Sequence, residues 1–133
     1  GKMKRLAAIA RRAKVSVVVD SVENVFALSD AMTAAEASVT VLVEVNVGQD
    51  RCGVDTAEEA LALALAVKAY NGLEWGGIQA YHGGIQHVRT YEDRKAAADA
   101  AIARARVIVD ALEAEGHGCP TVTGAGTGTF YFE

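Results

Sequence analysis

The sequence is poor in cysteine and proline. Its 133 residues include two cysteines, Cys52 and Cys119, and one proline. Two cysteines are too few for a disulfide framework and suit a reducing compartment, so we expect a cytoplasmic protein. No proline- or serine-rich linker interrupts the chain, and we therefore predict no internal domain boundary.

Long uncharged apolar runs and basic blocks are also missing. Charged residues interrupt the alanine-rich stretches before they reach the roughly 20 apolar residues that a membrane-spanning helix needs. The 13 basic and 17 acidic residues are interleaved and give a formal net charge of −4. Because nucleic-acid binding needs clustered positive charge, we expect neither a nucleic-acid partner nor a membrane partner. Hydrophobic residues make up 51% of the chain, which is enough to bury a core.

What the sequence does contain is a regular alternation of two patterns. Short β-branched runs, which are typical of buried strands, alternate with segments whose apolar residues recur at helical spacing. The predicted strands are 15–19, 39–47, 75–81 and 120–123, and the predicted helices are 2–13, 21–35, 55–70 and 92–115. Strands that alternate with helices predict parallel pairing.

Two architectures fit this order: an open doubly wound sheet, or part of a TIM-type (β/α)8 barrel. Polar or glycine-rich residues follow all four predicted strands, beginning at Asp20, Gly48, Tyr81 and Thr123. A barrel concentrates its chemistry at the carboxyl ends of all its strands, whereas a doubly wound sheet uses one switch point, so the pattern favours the barrel. Four strands cannot close a barrel of eight. We therefore predict an α/β fold that is an incomplete barrel segment of four strands and four helices.

A glycine–threonine motif, Thr123 to Thr129, is the strongest local signal of a binding site. Alternating glycines allow backbone N–H groups to converge on an anion, and threonine hydroxyls add uncharged donors, as a phosphate requires. The motif lacks the lysine of a P-loop and does not match the spacing of the dinucleotide-binding fingerprint. A glycine-rich loop that merely ends a strand is the alternative.

Two more motifs follow predicted strands. Arg51 lies just past the second strand and can direct a fixed, permanently charged donor fork into a site, although a surface arginine in a turn would give the same pattern. Tyr81, His82 and Gln86 cluster after the third strand, where apolar residues would suffice for folding. No carboxylate pair lies near the histidine in this segment, so we expect no metal site there.

Taken in order, the motifs resemble the alanine-racemase-like, fold-type III pyridoxal-phosphate enzymes. The similarity is greatest to D-threonine aldolases, β-hydroxyaspartate aldolases and D-serine-dehydratase-like proteins. It covers nearly the whole chain and is carried by the segments 43–54, 77–87, 91–94 and 123–133. It implies that Arg51 bonds the phenolic oxygen of the cofactor and that Tyr81 lies at its pyridine nitrogen. It also implies that the phosphate is held by Thr123, Gly124, Gly126 and Thr127. His82 and Gln86 are candidates for the substrate side of the site.

The resemblance further implies groups outside this chain. The lysine that forms a Schiff base with the cofactor is expected on a first barrel strand upstream of Gly1. A divalent metal (Mg, Mn or Zn) is expected in a downstream β domain. We therefore interpret residues 1–133 as a partial pyridoxal-phosphate-binding barrel domain with no catalytic residue and no metal ligand of its own, and we expect it to be inactive alone.

For the intact protein, the resemblance implies a homodimeric lyase that cleaves D-configured β-hydroxy amino acids to glycine and an aldehyde. A dehydratase of D-hydroxy amino acids, a racemase and a non-catalytic pyridoxal-phosphate-binding protein of the same fold remain alternatives. A sugar-phosphate-binding barrel module is an alternative from a different class. A lysine that ends a strand upstream of Gly1 would favour the cofactor over the sugar phosphate.

Overall fold

The computed structural model describes all 133 residues, and helices alternate with strands along the chain. The helices are α1 (Lys2–Ala10), α2 (Val22–Ala34), α3 (Ala57–Ala69) and α4 (Tyr91–Ala114), and the strands are β1 (Ser16–Val19), β2 (Val39–Glu44), β3 (Leu73–Gln79) and β4 (Thr121–Thr123). These are the predicted elements, with differences only at their ends. A short 3-10 helix, Gly83–His87, follows β3 and was not predicted, because its glycine pair is typical of a loop.

Hydroxyl side chains define where three of the helices begin. Ser21 accepts the N–H of Asn24, and Thr90 caps α4 in the same way. Thr56 accepts the N–H of Glu59, and the Glu59 carboxylate accepts the N–H of Thr56 in return, so the two residues form a capping box. Hydrogen bonds from the backbone N–H groups of Asp55 and Thr56 lower the pKa of Glu59. None of the helices combines the length and apolar surface that a bilayer crossing requires.

The four strands form one parallel sheet in the order β1-β2-β3-β4. Val43 lies in register with Val19 on one side and Ile78 on the other. Further along the same strands, Gln79 lies in register with both Glu44 and Thr123. Because every strand runs in the same direction, all four carboxyl ends meet at one edge of the sheet.

All four helices pack on a single face of this sheet. One cluster of 20 buried residues joins Val19, Val43 and Ile78 to apolar residues of α1, α2, α3 and α4. Leu42 is also buried but lies outside that cluster, because alternate strand residues project to opposite faces. A doubly wound sheet would carry helices on both faces. The prediction of a barrel-type segment is therefore confirmed.

The last strand can pair with β3 only because of Gly77. This glycine has a φ of +113°, and a Cβ there would collide with the carbonyl group of Thr121 in β4. An L-residue is strained at this φ in addition to the collision. The glycine–threonine loop follows β4 directly, so its position depends on this close approach.

We predict that Gly77→Ala lowers the free energy of unfolding by about 2 kcal/mol or more, from backbone strain and the displacement of β4. Urea denaturation of the purified protein measures the effect. Gly118→Ala is the matched control, because a Cβ at Gly118, in the loop before β4, would meet nothing within 4 Å. Equal losses in the two variants would contradict the prediction.

Candidate functional site

A row of polar side chains crosses the sheet at its carboxyl edge. Glu44, Gln79 and Thr123 are register partners and therefore project to one face, the one that Leu42 shares and the helices do not cover. Asp20 follows β1 immediately beside them. Strand pairing alone thus brings together groups that are up to 103 positions apart in the sequence.

The carboxyl group of Glu44 is the buried member of this row. Only 8% of the residue is exposed, and no group of this chain donates a hydrogen bond to its carboxylate. Burial raises the pKa of Glu44, the positive charge of Arg51 lowers it, and the negative charge of Asp20 raises it further. Arg51 is therefore near enough for its charge to act on Glu44.

Asn46 organises the loop that carries Arg51. Its side-chain oxygen accepts the N–H groups of Gly48 and Asp50, each at 3.1 Å. Its amide nitrogen donates to the carboxylates of Asp50 at 2.9 Å and Asp55 at 2.8 Å. The side chain of Arg51 is exposed at the tip of this loop and makes no hydrogen bond. The loop is thus fixed, while the guanidinium group is free to bind a ligand.

Each loop at this edge is bonded to the loop of the preceding strand. In all three cases a side-chain oxygen accepts the N–H of a glycine, an arrangement that fixes one loop against the next. The three bonds are Gly53 to Asp20 at 3.2 Å, Gly83 to Gln49 at 2.6 Å and Gly128 to Gln86 at 2.7 Å.

Tyr81 lies beside the loop of Arg51. Its side chain is half-buried, and a Cβ on Gly83 would lie 3.3 Å from both the Tyr81 hydroxyl and the Gln49 side-chain oxygen. Gln49 is two positions before Arg51. Tyr81 and Arg51, the two residues predicted to contact the cofactor ring, therefore lie on neighbouring loops.

The glycine–threonine loop has the backbone shape of an anion-binding site. Ala125 has a φ of +56°, a conformation that turns successive N–H groups towards a common point. The N–H groups of Gly124 and Thr127 have no acceptor within the protein. The N–H of Ala125 donates to the carboxylate of Glu133, so a negatively charged oxygen already lies against this loop.

The two substrate-side candidates make different contacts. His82 lies between the loop after β2 and α4: a Cβ on Gly48 would be 3.5 Å from its Nε2 atom, and its side chain lines a groove with Ala101 and Ala105. Its Nδ1 is buried without a partner. Gln86 uses both groups of its side-chain amide on the glycine–threonine loop. Their substrate-side roles remain predictions.

The residues of this site that were not predicted from the sequence include Glu44, Gln49 and Thr129. A carboxylate near the end of a β-branched strand is a signal that could have singled out Glu44, because such a strand is otherwise apolar. The contact of Gln49 with the next loop has no local sequence signal. Thr129 is fully buried beneath the motif to which it belongs, and its partner Gln86 is 43 positions away.

Comparison with known proteins assigns this chain to a family. The model for the alanine racemase N-terminal domain matches residues 2–133. The chain belongs to that family. The resemblance inferred from the motifs is thereby confirmed.

One named protein and two solved structures illustrate what this chain is similar to. The chain is 46% identical over 133 residues to 3-hydroxy-D-aspartate aldolase of Paracoccus denitrificans strain Pd 1222, a match that covers 99% of this chain and 34% of that protein. The crystal structure of D-threonine aldolase from Filomicrobium marinum matches with a TM-score of 0.96 and 44% identity, over 98% of this chain and 36% of that one. D-threo-3-hydroxyaspartate dehydratase from Delftia sp. HT23 matches with a TM-score of 0.82 and 26% identity, over 95% and 34%. The chain thus spans about a third of the length of these relatives.

The raised pKa of Glu44 predicts a pH-dependent effect of Glu44→Gln. A carboxyl group with a raised pKa in the folded state binds its proton more tightly there, so its ionisation destabilises the fold as pH rises above 4.5. The uncharged Glu44→Gln variant should therefore be more stable than the parent at pH 7, and this advantage should disappear below pH 4.5.

Urea denaturation of the cofactor-free protein between pH 4 and pH 8 tests this prediction. Glu58→Gln, at an exposed position of α3, controls for the loss of one negative charge. A Glu44→Gln variant whose relative stability does not increase with pH would show that the ionised carboxylate is well accommodated.

Proposed function

We propose that this chain forms the cofactor-holding segment of a pyridoxal-phosphate-dependent lyase, which cleaves D-configured β-hydroxy amino acids to glycine and an aldehyde. The observation that carries the proposal is the 46% identity to an aldolase over 133 residues, against 26% to the dehydratase over a comparable part of the chain. The residues that complete the active site are proposed to lie outside these 133 positions.

The donors of the site fit pyridoxal phosphate. The free N–H groups of Gly124 and Thr127, and the hydroxyls of Thr123 and Thr127, suit a phosphate dianion. Gly126 belongs to the same cradle, although its own N–H is bonded to Thr129 at 3.1 Å. A phosphate, a phenolic oxygen and a ring nitrogen need three separate sets of partners, and the loops after β4, β2 and β3 offer one each.

When bound, the cofactor supplies a conjugated ring that withdraws electrons from the Cα atom of an attached amino acid. Arg51 would donate to the phenolic oxygen and hold its negative charge with a permanent positive one. Tyr81 would bond the ring nitrogen without protonating it, because a phenol is a far weaker acid than a carboxylic acid. The loop from Thr123 to Thr127 would fix the phosphate and thereby the orientation of the ring.

Other parts of the proposal concern the intact protein. The lysines of this chain lie in α1, α3 and α4 or before β1, and none follows the carboxyl end of a strand, so we place the Schiff-base lysine elsewhere. The divalent metal would likewise be bound outside these residues. A homodimer and a cytoplasmic location remain predictions, which sedimentation and cell fractionation would test.

Product analysis of the full-length protein tests the reaction. With pyridoxal phosphate and Mn²⁺, D-threonine or 3-hydroxy-D-aspartate should yield glycine and an aldehyde in equal amounts, and L-threonine should yield neither. Ammonia and a 2-oxo acid would instead identify a dehydratase. A protein that racemises its substrate without cleaving it, or that binds sugar phosphates and not the cofactor, would contradict the proposal.

We predict that Arg51→Ala and Tyr81→Phe each shift the absorbance band of the bound cofactor, because each removes a donor from the conjugated ring system. Turnover should fall by more than substrate affinity, since the lost stabilisation belongs mainly to the transition state. Arg51→Lys should restore activity only partly, because an ammonium group lacks the planar fork.

Absorbance spectra and steady-state kinetics of the full-length variants provide the measurement. Arg89→Ala, which removes an exposed arginine from the segment before α4, is the control for loss of positive charge. Spectra and turnover that match the parent in both site variants would remove Arg51 and Tyr81 from the cofactor site.

A further inference from the structure

The side chain of Gln86 is inserted beneath the glycine–threonine loop. Its Oε1 atom accepts the N–H of Gly128 at 2.7 Å, and its Nε2 atom donates to the hydroxyl oxygen of Thr129 at 2.9 Å. A Cβ on Gly126 would lie 2.5 Å from the same amide. The loop therefore folds in direct contact with Gln86, with no space left between them.

This contact decides which backbone donors of the loop remain available. Thr129 is completely buried, and its hydroxyl oxygen also accepts the N–H of Gly126 at 3.1 Å. Gln86 and Thr129 together thus occupy the N–H groups of Gly126 and Gly128. The N–H groups of Gly124 and Thr127 are left without an acceptor.

We propose that Gln86 is a positioning residue for phosphate: with Thr129, it holds the glycine–threonine loop in the conformation that presents the N–H groups of Gly124 and Thr127 to the anion. The inference rests on the proposed pyridoxal-phosphate site and assigns Gln86 to the phosphate end of the cofactor rather than to the substrate. Gln86 does not need to touch the phosphate, because it acts through the loop.

The neutral amide is essential to this role. A glutamate at position 86 could still accept the N–H of Gly128, but it could not donate to Thr129, and its negative charge would lie beneath a dianion. A methionine of similar length would fill the space and make neither hydrogen bond. Both replacements should therefore weaken phosphate binding, and Gln86→Glu should weaken it more.

The test compares pyridoxal phosphate with pyridoxal, which lacks the phosphate. Dissociation constants of both are measured by absorbance titration of the cofactor-free, full-length protein. The dissociation constant of pyridoxal divided by that of pyridoxal phosphate is the ratio that isolates the phosphate contribution. We expect the ratio to fall about tenfold in Gln86→Met, which corresponds to about 1.4 kcal/mol, and by more in Gln86→Glu. The affinity for pyridoxal should stay near that of the parent.

His87→Ala is the matched control, since His87 is an exposed neighbour on the same 3-10 helix and makes no hydrogen bond with its side chain. An unchanged ratio in both Gln86 variants would overturn the inference. Equal weakening of the two ligands would also overturn it, because Gln86 would then support the whole site and not the phosphate end. A parent protein with no preference for the phosphorylated ligand would instead refute the proposed phosphate site itself.

Variants of Thr129 provide an independent readout if the Gln86 variants fold poorly. Thr129→Val keeps the shape of the side chain but removes the oxygen that both Gly126 and Gln86 contact, so the ratio should fall as in Gln86→Met. Thr129→Ser retains that oxygen and should keep the ratio of the parent. A normal ratio in Thr129→Val would overturn the inference.

Discussion

Three hydrogen bonds from glycine N–H groups to side-chain oxygens connect the loops at the carboxyl edge of the sheet, and the candidate site depends on them. Each runs from one loop to the loop of the preceding strand, with Asp20, Gln49 and Gln86 as the acceptors. A loop that binds a ligand through its backbone must hold its N–H groups in place before the ligand arrives. Here a side chain from the loop after the preceding strand holds those N–H groups. The loops are therefore fixed one against the next, from β1 to β4.

The parallel sheet makes these bonds possible by bringing the loops side by side. Its apolar residues face the helices, and the core formed there leaves the other face free for Glu44, Gln79 and Thr123. Gly77 completes the arrangement, because β4 could not approach β3 if that position carried a side chain. The fold therefore separates two tasks: stability on the face that the helices cover, and binding at the edge where the strands end.

The sequence predicts the parts of this molecule that depend on local pattern. The β-branched runs, the helical spacing of apolar residues and the polar strand ends are local signals, and the structure agrees with each. The side-chain partners are different, because Gln86 and Thr129 are 43 positions apart and nothing near either one specifies the other. His82 lies three positions past the end of β3, and its place beside Ala101 and Ala105 of α4 is again a contact that no local pattern specifies.

The charges at this edge explain why the proposed phosphate site uses uncharged donors. The charge of the single exposed arginine of the loop after β2 acts on Glu44, which is largely buried. A guanidinium group there can serve a singly charged phenolic oxygen and still offset the buried carboxyl group. A phosphate dianion beside Asp20 and Glu44 would meet their repulsion, and β3 separates the loop after β4 from both. Placing the dianion at the far strand, on backbone N–H groups and hydroxyls, keeps Arg51 for the ring and separates the phosphate from Asp20 and Glu44.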